Sequence, residues 1–503
     1  MAAKLRMRPL FETGVPNLDF ILGGGVPVSD VLLVLGPPGA GKTTLVLQMA
    51  FHAARLGHNV LYVSTYSEPP NRLLNHCRTF SFHDESLVGK RLFLLSVYPL
   101  VREDLANLRD ALGDAVKEHE ARLVIIDDLM TIHDLHPDPF ETRALLYELG
   151  ATLSALGCTT VLTRPVFQST TEDRYPELTT SDAIVELGTR LFDTRLVRSI
   201  QVRKVRGRSP RLGTHSLRIT ENGVTVFPRL ESMELPPPVA APAGRVSLGL
   251  AEIDAMMSGG PRAGTATLIA GATGTGKTVA ALQFLLEGAR RGERGLFVGL
   301  RETAAELGTK AERLGLDLEA AVRKRLISLV YHSPVDLDAD QLGFQVVEAM
   351  ERAPPARLVI DGLLEIEHAV EGSRARGYLA SLVRRLHGLG VTALIVKEVG
   401  QVVGPELDFS DTPTALLADN LILFRYVEVR GELIRVLSIL KMADSECDRS
   451  IRQYTLTAAG LRVLPIEESA EGLLTGIARL RSERRIKRSE AAPSTQARGE
   501  GRR

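Results

Sequence analysis

The sequence predicts an α/β protein built from two tandem domains, each a mostly parallel sheet flanked by helices. Apolar runs typical of strands alternate with helix-like stretches through both halves of the 503-residue chain, as in parallel sheets covered by helices. The pattern G-x-x-x-x-G-K-[ST] occurs at residues 36–43 and again at 271–278, and the sequences around the two copies align without a gap. A repeat of this length indicates a duplicated domain and not a short solenoid unit.

The strand candidates of the two halves fall in the same order. The first half has them at residues 31–35, 59–64, 92–96, 123–126 and 159–163, with helical patterns at 43–56, 105–119 and 139–156. The second half has them at residues 268–271, 295–299, 326–331, 358–360 and 391–396, with a helical pattern at 278–290.

Composition shifts divide the chain into four parts. We expect a first domain at residues 1–233, a proline-rich linker at 234–244 in an extended, semi-rigid form and not packed, and a second domain at 245–465. Residues 466–503 are expected to form a C-terminal helix, in which Leu473, Leu474, Ile477 and Leu480 follow helical spacing, and then a disordered basic tail. The helix could dock on a partner protein or simply be a solvated terminal helix, and the sequence leaves both readings open.

The two glycine-rich loops have the chemistry of phosphate binding. Each loop follows an apolar strand and precedes a helix, so its backbone N–H groups and the helix N-terminus point at an anion. In such loops the lysine reaches the β- and γ-phosphates, and the threonine hydroxyl binds Mg²⁺. The predicted ATP-binding residues are Gly36, Pro37, Pro38, Gly39, Ala40, Gly41, Lys42, Thr43 and Thr44, and Gly271, Ala272, Thr273, Gly274, Thr275, Gly276, Lys277, Thr278 and Val279.

A carboxylate for Mg²⁺ is expected where a later buried strand ends. Asp127 and Asp361 each end an apolar run, 85 and 84 residues after Lys42 and Lys277. One such aspartate would be weak evidence, but two at nearly one spacing predict the metal shell together with Thr43 and Thr278.

Glutamates after the second strand are candidates for activating water. Glu68 and Glu302 occupy this place. Each could equally be an acid at the start of a helix, where the helix dipole favours negative charge.

Composition excludes several classes of protein. Net charge is zero, from 61 basic and 61 acidic side chains, and this argues against a protein built to coat nucleic acid. Three dispersed cysteines suggest neither a disulfide framework nor a zinc site. No apolar run approaches the ~20 residues of a membrane helix, so we expect a soluble, cytoplasmic protein.

These motifs, with segments elsewhere in the chain, resemble the KaiC-like tandem ATPases of the RecA superfamily. The segments that carry the resemblance are Thr13-Gly14-Val15-Pro16-Asn17-Leu18-Asp19, Gly23-Gly24-Gly25, Lys204-Val205-Arg206-Gly207, Tyr426 to Leu433 and Leu440-Lys441-Met442. Over residues 10 to 480, the resemblance implies a homo-hexameric ring with ATP between neighbouring subunits, slow ATPase activity and, in the clock protein, autophosphorylation.

The ring implied by this resemblance gives catalytic roles to Lys204, Arg206 and Lys441. On a strand, positions i and i+2 share a face, so Lys204 and Arg206 could together reach a neighbour's γ-phosphate; a solvated pair of charges on an edge strand is the alternative. The chain departs from the family at Tyr66-Ser67 and at Arg301, where glutamates are usual, and at Ala443, where an arginine is usual.

Three functions are therefore considered. The first is a ring-forming signalling ATPase that hydrolyses mainly in its first domain. The second is a Ser/Thr autokinase, against which Ala415 and Leu416 stand at the family's phosphosites, although Thr412 or Thr414 could substitute. The third is a DNA-directed motor or recombinase, which would be expected to show a basic surface or an added DNA-binding module.

Overall fold

Two separate units make up the protein in the computed structural model, with the division between Met233 and Glu234. The structure describes residues 8–65, 70–166, 176–192, 195–237, 239, 243–370, 372–399, 417–429, 431–443, 445–458, 460–464, 470–471 and 479–480. Among these residues, no helix combines the length and apolarity needed to cross a bilayer.

The first unit is a twisted sheet with helices on both faces. Its strands are β1 (Leu10–Phe11), β2 (Val26–Pro27), β3 (Val31–Gly36), β4 (Val60–Ser64), β5 (Leu92–Ser96), β6 (Leu123–Asp127), β7 (Thr159–Pro165), β8 (Ala183–Phe192), β9 (Arg195–Val205), β10 (Thr214–Thr220) and β11 (Gly223–Phe227). Its helices are α1 (Leu18–Leu22), α2 (Lys42–Arg55), α3 (Pro70–Cys77), α4 (Tyr98–Glu103), α5 (Leu105–His119), α6 (Met130–Leu135), α7 (Pro139–Ala155) and α8 (Glu177–Thr180).

The second unit repeats this order of elements. Its strands are β12 (Ala266–Gly271), β13 (Gly295–Gly299), β14 (Ile327–Tyr331), β15 (Arg357–Asp361), β16 (Thr392–Glu398), β17 (Asn420–Val429), β18 (Glu432–Lys441), β19 (Arg452–Thr457), β20 (Gly460–Leu464), β21 (Ala470–Glu471) and β22 (Arg479–Leu480). Its helices are α9 (Ala251–Met256), α10 (Lys277–Arg290), α11 (Ala304–Arg313), α12 (Leu318–Arg323), α13 (Ala339–Arg352), α14 (Leu363–Ala369) and α15 (Arg374–Gly388).

Each nine-stranded sheet has a parallel part and an antiparallel extension. The strand orders are β11-β10-β9-β8-β3-β7-β6-β4-β5 and β14-β13-β15-β16-β12-β17-β18-β19-β20. The six strands from β5 to β8, and likewise from β14 to β17, are parallel, and the remaining three of each sheet pair antiparallel. This architecture confirms the α/β class with two tandem RecA-like domains.

Both faces of the first sheet are buried, which explains why its parallel strands are continuous apolar runs. Along β3, Leu32 and Val34 join the core beneath α2, while Leu33 and Leu35 join the core beneath α5 and α7. The strand therefore holds the loop at its end between two packed layers.

A glutamine at the same place in both P-loop helices ties the helix to the outermost antiparallel strand. Gln48 Nε2 donates to the carbonyl oxygen of Val224 at 3.2 Å, and its Oε1 accepts from the Val224 N–H at 2.7 Å. In the second unit, Gln283 Oε1 accepts from the Leu461 N–H at 3.0 Å. The duplicated glutamine thus anchors the antiparallel extension to the nucleotide-binding core.

Two expectations about the connecting segments need correction. Residues 234–237 and 239 lack regular structure, as expected, but they contact the second unit: Arg385 Nη2 donates to the Glu234 carbonyl at 2.7 Å, and the Val239 N–H donates to the Gly388 carbonyl at 3.0 Å. Arg385 is buried and requires acceptors, so the linker supplies one.

The predicted C-terminal helix also differs from the structure. Its last residues, Arg479–Leu480, form β22 and pair antiparallel with Ala470–Glu471. Gly472 and Gly476 lie within the segment, and each lowers helix propensity by about 1 kcal/mol relative to alanine. Residues 472–478 and the basic tail lie outside the described residues.

Gln48→Ala should destabilise the first unit by about 2 kcal/mol, because the buried Val224 N–H and carbonyl lose their side-chain partners. Scanning calorimetry should show a fall of about 4–8 °C in that unit's transition. Gln201→Ala is the matched control, since the bond between Gln201 and Thr214 is long, at 3.5 Å, and exposed. An unchanged transition for Gln48→Ala would show that the anchor is not needed.

Candidate nucleotide-binding sites

Each glycine-rich loop joins the end of a central strand to the first turn of a buried helix. Gly41 and Gly276 directly precede α2 and α10, with φ of 105° and 92°. A Cβ at Gly41 would lie 2.4 Å from Ile219 Cδ1, and one at Gly276 would lie 2.8 Å from Leu456 Cδ2. Backbone conformation and close packing both require glycine here, and the helix N-terminus points its N–H groups at the loop.

The loop lysines bond to backbone carbonyls, with Lys277 buried and Lys42 half-buried. Lys42 Nζ donates to Gly36 O at 2.8 Å and to Pro37 O at 3.1 Å, while Lys277 Nζ donates to Ala272 O at 2.7 Å. Burial lowers the pKa of Lys42, and Asp128 and Asp127 partly oppose this. Burial lowers the pKa of Lys277 to about 8; Asp361 opposes this shift and Arg301 adds to it.

The predicted metal ligands of the second unit lie together. Thr278 Oγ1 donates to Asp361 Oδ2 at 2.7 Å, and both residues line a cavity of about 900 Å³ that Lys277 also lines. Burial raises the pKa of Asp361, and the Thr278 hydrogen bond opposes that rise. A hydroxyl and a buried carboxylate at the end of a strand are suitable oxygen ligands for Mg²⁺.

The equivalent carboxylate of the first unit has different partners. Tyr62 Oη donates to Asp127 Oδ2 at 2.6 Å, and Thr163 Oγ1 donates to Oδ1 at 2.5 Å. Thr43, Thr44 and Asp127 line a cavity of about 310 Å³. At the place of Tyr62, the second unit has Phe297, which cannot make this hydrogen bond.

Asp128 is a residue that the sequence reasoning passed over. It has a φ of 72°, its N–H donates to Thr163 Oγ1 at 2.8 Å, and its Oδ1 accepts from the Met130 N–H at 2.8 Å. Burial raises its pKa, with Lys42 among the groups that oppose the rise. Its charge therefore acts on the loop lysine together with that of Asp127.

Of the two candidate glutamates, the structure describes only Glu302. It lines the second unit's cavity and forms an ion pair with Lys310 through Oε1. Its other oxygen, Oε2, is buried and has no hydrogen-bond partner among the described residues. Glu68 lies outside the described residues, as do Ala415, Leu416 and the two candidate threonines at 412 and 414.

The residues predicted to act in trans lie far from the loop of their own unit. Lys204 Nζ donates to Ser181 O at 2.7 Å, and Arg206 Nη1 pairs with Asp182 at 3.0 Å. Asp182 accepts from the Val31 N–H, at the start of β3, whereas the P-loop begins at its end. Five residues of strand separate these points by about 17 Å.

Lys441 has the equivalent position in the second unit. Its Nζ donates to Ala418 O at 2.6 Å, and the neighbouring Asp419 accepts from the N–H of Ala266, where β12 starts. Arg206 lies just past the end of β9 and not on the strand as expected, although it rests on the same turn as Lys204.

Two further arginines contact the loops within their own units. Arg198 Nε donates to Gly39 O at 3.4 Å, and Arg435 Nε donates to Gly274 O at 3.3 Å. They precede Lys204 and Lys441 by the same six residues, a signal that was present in the sequence but was not used.

The donor set fits Mg·ATP. The loops supply lysine, threonine and backbone N–H groups, and a cavity near 900 Å³ is within the range of small-molecule sites. The described residues hold no cluster of three His, Cys, Asp or Glu side chains arranged for a metal. Mg²⁺ in ATPases does not need one, because phosphates and water complete its shell.

Comparison with known proteins agrees with this geometry. A family model of the KaiC ATPases matches residues 11–231 and 246–468. The chain belongs to the KaiC family. It is 28% identical to the circadian clock oscillator protein KaiC of Picosynechococcus over 481 residues, covering 92% of this chain and 91% of the relative. It is also 28% identical to KaiC of Rippkaea orientalis over 477 residues, covering 92% and 90%. Family membership supports nucleotide binding and ATPase activity.

The low pKa of Lys277 predicts that nucleotide binding to the second unit depends on pH. Phosphate binding needs the protonated amine, so affinity should fall as pH rises through about 8, by up to about tenfold per pH unit above it. Calorimetric titration between pH 7 and 9, in a Lys42→Ala chain that isolates the second site, measures this.

Lys277→Arg in the same chain is the control. Arginine stays protonated at these pH values, so its affinity should vary little with pH. An equal pH slope for lysine and arginine would show that another group titrates.

Proposed function

We propose that this chain is a ring-forming, KaiC-like signalling ATPase that binds Mg·ATP in both units and hydrolyses it mainly in the first. Lys42 and Lys277 bind the phosphates, and Thr43 with Asp127 and Thr278 with Asp361 hold Mg²⁺. The ion stabilises charge on the phosphates when bound. The observation that carries the ring is the place of Lys204, Arg206 and Lys441, at the strand ends opposite the loops of their own units.

These cations suit a partner subunit's nucleotide. The Arg206 side chain is exposed, and Lys204 and Arg206 rest on one turn at Thr179, Ser181 and Asp182. A distance of about 17 Å prevents them from reaching the P-loop of the same unit. In a homo-hexamer, each pair would complete the site of the next subunit, so that bound ATP stabilises the interface.

The first unit should hydrolyse ATP faster than the second because the two units differ in the cations that they offer to a neighbouring site. Lys441 is followed two residues later by Ala443, whose N–H bonds to Asn420 Oδ1 at 3.4 Å, so the second unit lacks the guanidinium that Arg206 supplies to the first. Against this, Glu302 lines the second cavity and has an oxygen, Oε2, with no hydrogen-bond partner among the described residues. We give the missing cation more weight, since arginine fingers are worth about 10³–10⁵ in rate in well-studied systems.

We expect Mg·ATP to drive assembly from monomers to hexamers. Lys42→Ala should weaken assembly more than Lys277→Ala, because the first site has both cations to bridge to its neighbour. Size-exclusion chromatography with light scattering, with and without Mg·ATP, measures this. A protein that stays monomeric at saturating Mg·ATP would refute the ring.

Mixing variants tests action in trans separately. Subunits with Lys42→Ala lose the loop lysine but keep Lys204 and Arg206. Subunits with Lys204→Ala and Arg206→Ala lose both of these cations but keep the loop lysine. Mixed assemblies should show more ATP turnover than the two variants give separately, because some interfaces then combine an intact first-unit loop with intact cations. If no activity returns in assembled mixtures, the cations do not act across an interface.

We also expect the first unit to carry most of the steady-state turnover. Lys42→Ala should remove most phosphate release, whereas Lys277→Ala should retain most of it, when both are measured on assembled protein. If Lys277→Ala removes most of the activity, Glu302 outweighs the missing arginine and the assignment of the two units is reversed.

A further inference from the structure

The second unit holds an arginine at the mouth of its nucleotide cavity. Arg301 follows β13 directly and lines the same cavity as Lys277, Thr278 and Asp361. Its Nε pairs with Glu365 at 2.7 Å, and its Nη1 pairs with Glu398. The side chain is 42% exposed and lines the cavity, so its ion pairs do not bury it.

The ion pairs hold the guanidinium in front of the P-loop. Adjacent strands run in the order β13-β15-β16-β12 at about 4.8 Å spacing, so Arg301 reaches over the end of β15, where Asp361 lies, to Glu398 on β16. Glu398 pairs in register with Gly271, the first residue of the loop, and accepts a hydrogen bond from Thr273 Oγ1 within the loop.

Two cations therefore share this end of the cavity. Lys277 approaches from the loop and Arg301 from β13. An anion bound at this end of the cavity would interact favourably with both groups. The planar guanidinium suits two oxygens of one phosphate group.

We propose that Arg301 is a ligand of the terminal phosphate of a nucleoside triphosphate in the second unit and makes this site prefer triphosphate to diphosphate. The inference rests on the proposed binding of ATP there. Glu365 and Glu398 keep the guanidinium in place, and phosphate oxygens replace one of them when the triphosphate binds. A diphosphate has no group at that position, so its affinity is independent of Arg301.

Nucleotide affinities test this proposal without measuring activity. In a Lys42→Ala chain, titration calorimetry with Mg²⁺ compares ADP with a non-hydrolysable ATP analogue, before and after Arg301→Ala. Loss of one charge-assisted contact should weaken the analogue about ten- to hundredfold and leave ADP unchanged. Equal weakening of both nucleotides, or of neither, would overturn the proposal.

Arg313→Ala is the matched control for loss of charge. Arg313 lines the same cavity from α11 but lies away from the strand ends. It should alter both nucleotides in the same proportion. If it lowers the preference for triphosphate as much as Arg301→Ala does, general electrostatics explains the result and Arg301 has no specific contact.

The double variant Arg301→Ala with Glu398→Gln tests whether Arg301 is a phosphate ligand or only the counterion of Glu398. If Arg301 only neutralises Glu398, removing both charges should restore the triphosphate preference, and the proposal fails. If Arg301 contacts phosphate, the preference stays low. A Lys42→Ala chain that binds neither nucleotide would instead refute nucleotide binding by the second unit, whatever residue stands at 301.

Discussion

The direction of the strands determines at which edge of each sheet the phosphate-binding loop, the strand-end aspartate and the lysine near the end of the antiparallel strand lie. Because six strands of each sheet are parallel, their carboxyl ends meet at one edge, and the loop, Asp127 or Asp361 and the residues after the second strand converge there. The antiparallel extension returns the chain to the opposite edge, where Lys204 is the last residue but one of β9 and Lys441 is the last of β18. One sheet thus presents the phosphate-binding loop at one edge and Lys204 or Lys441 at the other, and the proposal of a ring is argued from this separation.

Both units share this framework, while the residues around the candidate metal carboxylate differ. Gln48 and Gln283 keep the same anchoring role, and both loops keep the same glycine geometry. Around the carboxylate, Tyr62 and Thr163 hold Asp127, whereas the loop threonine itself holds Asp361. Backbone constraints are shared by every member of a fold, but hydrogen-bond partners of a functional carboxylate can change without unfolding it.

Sequence reasoning found five of the six parallel strands of each sheet and missed β8, β17 and the antiparallel extensions. Strands covered on both faces are apolar runs, and the prediction of 295–299 matches β13 to the residue. Strands such as β9 and β18 are partly exposed and interrupt their apolar residues with charged and polar ones, so they lack that signal. The same limit applies to the site: motifs gave the loops and the aspartates, whereas the contacts of Arg198, Asp128 and Arg301 depend on packing between distant segments.

The second unit shows how charge can alter a site while its motif stays intact. Lys277, Thr278 and Asp361 alone would suggest an ordinary hydrolytic centre. Around them, Lys310 engages one oxygen of Glu302, and Arg301 is held between Glu365 and Glu398. Water activation needs an available carboxylate, while phosphate retention needs fixed positive charge. This arrangement occupies one oxygen of the carboxylate and supplies fixed positive charge, and we therefore propose that the second unit senses bound ATP more than it consumes it.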